Sequence, residues 1–231
     1  MRTALTVVAT LLLCGNALAQ AKPSFDCAKA KSLAEKGICA DPKLAELDAA
    51  VARNYASALA ILDAGAGKAL KSDQYWFVEA RDNGMELNKD EPKDKQIFDL
   101  ADFLKDRAAF LVSIAHSPAG FVGTWSNLSG SVEIKAGARG KLEINAQTTR
   151  PITASWVCDV SGSAAPAGQT LAFNDTDEAN KPTGWRFAIH RKGDMITVDQ
   201  NGPSSGDASE PPACGHNGTV AGSYFFSKPK S

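Results

Sequence analysis

Near Gly120 the hydrophobic pattern of the chain changes period. Before that point apolar residues recur at steps of three and four. Leu44, Leu47, Val51, Tyr55, Leu59 and Leu62 form one face of a helix. After it come short alternating runs: Val132-Glu133-Ile134, Leu142-Glu143-Ile144, Trp156-Val157-Cys158, Leu171-Ala172-Phe173, Phe187-Ala188-Ile189, Met195-Ile196-Thr197-Val198 and Tyr224-Phe225-Phe226. Gly, Asn, Asp and Pro separate them. A stretch patterned for one period cannot bury its apolar face in the other. The chain therefore reads as α+β. Residues 20–117 form a small helical bundle, and residues 118–231 an antiparallel β-barrel or sandwich of about six to eight strands.

Local signals place the helices. Asp41 caps and Pro42 starts the first long one. Gly65 and Gly67 break it, and a second runs from Lys68 to Leu87 with Leu70, Phe77 and Val78 inward. Lys89 to Lys95 is a solvated loop. A third helix spans Lys95 to Ala115, with Ile97, Leu100, Ala101, Leu104, Ala108, Leu111 and Val112 on its inner side; Ser117-Pro118 ends it. In the β half two loops are long, Ala164 to Gly168 and Asn201 to Ala213, and the second, with three prolines, is expected to be mobile.

The N-terminus sets the compartment. Arg2, the apolar run Ala4 to Leu13 and Ala17-Leu18-Ala19 form a secretory signal over residues 1–19, with the mature chain starting near Gln20. The expected location is the periplasm or the exterior. Leu13 before Cys14 does not make a lipobox, so the expectation is no lipid anchor there, and no later run suits a membrane span. Of five cysteines, Cys27, Cys39, Cys158 and Cys214 remain after cleavage. An even count in an exported chain argues for disulfides. Two lie in the helical region and two in the β region, so we pair Cys27 with Cys39 and Cys158 with Cys214. The first bond would pin a short helix to the start of the long one, stabilising by about 3 kcal/mol in the chain-entropy model.

Charge and motifs narrow the function. The formal net charge of −1 offers no basic face for nucleic acid. His116, His190 and His216 stand in no nucleophile or metal motif, and no phosphate loop or dinucleotide fingerprint occurs. The expectation is a protein without catalysis, metal or cofactor. Tyr75, Trp76 and Phe77 are consecutive, so one helical stripe cannot bury all three. Phe77 fits the inward stripe. Tyr75 or Trp76 is then expected to pack on the β half; left exposed, Trp76 would mark a partner surface.

The helical half resembles the exported domain family named after the LprI lysozyme inhibitor. The resemblance covers residues 24–112. It rests on Phe25-Asp26-Cys27-Ala28-Lys29-Ala30, Glu35, Ile38-Cys39 and Asp41-Pro42-Lys43-Leu44-Ala45-Glu46-Leu47-Asp48, then Tyr55, Gln74, Arg81-Asp82 and Arg107. Phe77 stands where the family often has Trp. A second cysteine pair is missing, which leaves the far end of the hairpin to packing alone. The resemblance implies a non-catalytic envelope protein, with lysozyme as the protein partner of one branch. Gly123-Thr124-Trp125 is similar to the start of lipocalin-like barrels, with Trp125 as a plug at the base. A barrel of that size can alternatively hold a glycan or an apolar small molecule. Ser161-Gly162-Ser163 is faintly similar to a Ser/Gly loop with which periplasmic inhibitors enter the lysozyme cleft, and makes Ser161 and Ser163 candidate contacts alongside Trp76.

Overall fold

The computed structural model describes residues 22–177, 179–203 and 210–228. The expected leader with Cys14, and the centre of the Asn201–Ala213 loop, lie outside the described residues. Four α-helices occur among those described: α1 (Leu33–Ala40), α2 (Pro42–Ile61), α3 (Ala64–Leu87) and α4 (Leu100–Ser113). None is long and apolar enough to cross a membrane.

The helix starts follow from caps. Before α1, Ser32 and Glu35 form a reciprocal capping box: the Glu35 amide donates to Ser32 Oγ at 3.1 Å, and the Ser32 amide donates back to the Glu35 carboxylate at 3.1 Å. The amides of Lys31 and Ser32 hold the Glu35 carboxyl below its ordinary value. The Cys27–Cys39 disulfide ties the turn at Cys27–Lys29 to the end of α1, beside the start of α2. Asp41 caps α2 with Pro42 in first position, as the sequence indicates.

Two boundaries differ from expectation. Asp63 accepts from the amides of Gly65 and Ala66, so α3 begins at Ala64 and Gly65 and Gly67 fall in its first turn, where the amides of Gly65 and Ala66 lack intrahelical partners anyway. The break lies at Leu62–Asp63. The last helix begins at Leu100, capped by Asp99. Ile97 precedes it and is exposed; Phe98 turns inward instead. The buried stripe of α4 is Leu100, Leu104, Arg107 and Leu111, which leaves Val112 one position off and exposed. The far end of the α3–α4 hairpin is held by more than packing. The buried Asn88 side chain donates to Phe98 O at 2.6 Å and accepts from the amides of Ile97 and Phe98. Gly84 leaves room there for the Phe98 ring.

The β half is one eight-stranded antiparallel sheet: β1 (Gly123–Asn127), β2 (Gly130–Ala136), β3 (Leu142–Thr149), β4 (Val157–Ala164), β5 (Thr170–Thr176), β6 (Pro182–Lys192), β7 (Met195–Asn201) and β8 (Gly222–Ser227). The order β4-β3-β2-β1-β8-β7-β6-β5 makes an up-and-down barrel, nearly closed. Among the described residues no ladder joins β4 to β5; Gly162 of β4 instead lies against the Phe173 ring of β5. Alternate residues fill the interior, with Trp125, Ile134, Leu171, Phe187, Ile189 and Tyr224 fully buried. Trp125 donates its indole N–H to Phe121 O at 2.8 Å. Cys158–Cys214 ties the segment before β8 to β4.

The halves dock through β7 and β8. Met195 and Phe225, paired in register, point out of the barrel into the helical core. Main-chain bonds continue the join: Ala115 N donates to Phe226 O, and Lys228 N to Ser113 O. Asp63 and Asp194 exchange amide-to-carboxylate bonds of 2.9 and 3.3 Å. Asp73 accepts from the Leu128 amide of the β1–β2 turn at 3.0 Å. Tyr75 and Trp76 take no part in this join, contrary to expectation; they are 57% and 60% exposed.

Candidate functional site: a groove between helix α3 and the β3–β4 loop

Helix α3 carries two stripes. Ala66, Leu70, Phe77, Arg81 and Gly84 face the helical core. Trp76, Ala80, Asn83 and Leu87, spaced as one helical face, look the other way, flanked by Glu79 and Glu86. Opposite stands the β3–β4 loop, Arg150 to Trp156, with Leu128 and Ser129 between. Together they enclose an open groove of about 990 Å³.

The loop wall has a defined shape. Arg150 N donates to Trp156 O at 3.1 Å, and Ala154 N to Arg150 O at 3.1 Å. Thr149 Oγ1 donates to the same Trp156 carbonyl. Ile152 has φ +72° and Ala154 φ +45°. A β-branched residue in the left-handed region is strained and persists only where its surroundings fix it. Ile152 is fixed because its side chain packs against the helical core, as Leu128 does.

A buried charge network reaches one lining residue of the groove, Leu128. Arg107 is 3% exposed and lies between the rings of Phe77 and Phe110, each 5.0 Å away. It donates to Asp73 Oδ2 at 2.6 Å and, through two nitrogens, to Gln74 Oε1 at 3.0 and 2.8 Å. Burial pulls the guanidinium below its ordinary value, and Asp73 beside it opposes that. The other Asp73 oxygen holds Leu128. A second buried arginine, Arg81, donates to Asp82 at 2.8 Å and lies 4.0 Å from Asp48, whose carboxylate accepts the Ser24 amide. Arg81, Arg107 and Asp48 are thus buried wiring of the bundle, with Gln74 and Asp82 half-buried beside them.

Of the candidate contacts, Trp76 sits on the groove and Ser161 and Ser163 do not. The two serines lie within strand β4 rather than in a loop or turn, paired with Asn145 and Glu143 of β3. They face outward and Gly162 faces inward under Phe173, which accounts for the Ser-Gly-Ser pattern by alternation. Ser161 Oγ accepts from Asn145 on a polar strand face of its own.

The histidines do not converge. His116 lies past the end of α4, 3.4 Å from Asp194; His190 is half-buried between Thr170 and Asp199; His216 contacts Glu210. Among the described residues no three His, Cys, Asp or Glu side chains group to hold a metal. The β3–β4 loop was missed from sequence. Its only local signal is Arg150-Pro151 between two alternating runs, which marks a turn but not its reach to α3. Compared with family models, with curated proteins and with solved structures, the chain matches none.

Proposed function

We propose that the protein is an exported binding protein that acts by protein–protein contact, and that its contact surface is the rim of α3 at Tyr75 and Trp76. The observation that carries this reading is the exposure of both aromatics, packed edge to face with centroids 5.3 Å apart, on a long, capped helix. Rigid, solvent-facing tryptophan and tyrosine are the side chains that most often dominate an interface. The N-terminal resemblance names lysozyme as the first partner to try. Export is supported by the two disulfides together with the leader pattern. The barrel interior, filled by Trp125, Phe187 and Tyr224, speaks against a ligand held inside the β domain.

The test is lysis of cell-wall substrate by a c-type lysozyme, with and without the oxidised mature chain. Inhibition near one equivalent supports the reading. Undiminished lysis at a large excess of protein would falsify it for that enzyme class.

A further inference from the structure

We infer that the groove between α3 and the β3–β4 loop is a binding site for a short, neutral oligosaccharide. The inference does not rest on the lysozyme reading: the two share Trp76, but this one stands on the groove that Trp76 forms with Trp156, Glu79, Asn83 and Arg150.

Two tryptophans line the groove, the exposed Trp76 on the helix and, on the loop, Trp156, which is half-buried and packs in part against the barrel core. A sugar ring presents C–H groups on its faces and hydroxyls around its edge. It therefore suits a wall that mixes aromatic surface with polar groups of both kinds. The groove supplies that mixture: the carboxylate of Glu79 accepts, the Arg150 guanidinium donates, and the Asn83 amide does both. None of these three side chains has a partner among the described residues, and all three are exposed in the groove, so their hydrogen-bonding capacity is free for a ligand.

The same walls argue against a peptide. One wall is a helix and the other an irregular loop closed on itself by Arg150, Ala154 and Trp156, so no free strand edge is offered for β-addition. A helical partner would want a continuous apolar trough, and here Asn83 interrupts the Trp76–Leu87 stripe. Charge excludes polyanionic glycans: Glu79 and Glu86 outnumber Arg150. Size excludes a single sugar as the full ligand, since Trp76 to Leu87 spans about 16 Å of helix axis. The packing of Ile152 against the helical core and the main-chain bonds from Arg150 to Trp156 and from Ala154 to Arg150 hold the loop wall in one shape before any ligand arrives.

The test is isothermal titration of the full oxidised chain with chitotetraose and with cellotetraose, using glucose as the monosaccharide control. Trp76→Ala and Arg150→Ala are measured beside it; both positions are exposed, and circular dichroism checks that each variant keeps its fold. The expected result is saturable binding of at least one tetrasaccharide and little of glucose, weakened about tenfold or more by Trp76→Ala and also by Arg150→Ala. Absence of binding to both tetrasaccharides, or an affinity that Trp76→Ala leaves unchanged, overturns the inference. Lysis inhibition by the same preparations is scored separately: a chain that binds the sugar without inhibiting lysozyme keeps this inference and loses the other, and the converse result separates them the opposite way.

Discussion

Arg107 ties α4 to α3 through charge rather than apolar packing. Its charge is buried between two phenyl rings, and its partner Asp73 reaches on to the main chain of the β half. Removing one member of a buried pair leaves the other charged and unsatisfied, which costs about 3–5 kcal/mol. Arg107→Ala is expected to lower the urea midpoint by a corresponding amount and to speed exchange of the Leu128 amide, while a midpoint within error of the parent would contradict this role. At this scale the sequence was readable where chemistry is local. The Asp41-Pro42 helix start needed only near neighbours, and the pairing of the cysteines only the division into a helical and a β region. What Arg107 bonds to was not readable, because Gln74 and Asp73 come from another helix more than thirty residues earlier.

Among the elements, α3 faces the helical core on one side and the groove on the other. Its first turn is capped by Asp63, whose carboxylate also accepts the Asp194 amide from the β half. These amides, first that of Ala66, hold the carboxyl below its ordinary 3.8. A carboxyl whose folded value is depressed adds stability that is present above 3.8 and is lost as pH falls through the lowered value. Thermal midpoints followed from about pH 6 down to pH 2 should therefore fall more steeply for the parent than for Asp63→Asn, which keeps a cap without the titrating charge. Parallel curves would show that the charge at Asp63 contributes nothing. The start of α3 was misplaced from sequence because Gly65 and Gly67 read as breakers. Their propensity penalty applies to helix interiors, and a strong cap just before them moved the break two residues earlier. The second stripe of α3 was in the sequence all along as Trp76, Ala80, Asn83 and Leu87. It reads as plain helix surface until the loop at Arg150–Trp156 is known to stand opposite.

At the scale of the whole molecule the change of period near Gly120 divides the chain into a helical and a β part, yet the helical core draws residues from both. Phe225 and Met195 leave the barrel to complete the helical cluster, and the segment at Ile114 bridges to Ser227 at the end of β8. The docking was expected; its route was not, because the outward residues of β7 and β8 look like any alternating strand until the helices cover them. The full chain should unfold in one transition by both circular dichroism and calorimetry, and residues 22–117 alone should be markedly less stable than the same segment in the full chain. Two separated transitions would mean independent domains. Neither Tyr75 nor Trp76 is buried where the halves join, so the aromatic pair stays solvent-facing. The most direct measurement of the contact proposed for that pair is lysozyme inhibition by the full oxidised chain set against the Tyr75→Ala/Trp76→Ala variant. The expected result is inhibition by the parent and a loss of about tenfold or more in potency in the folded variant. Equal potency of the two would contradict the assignment of the α3 rim as the contact surface.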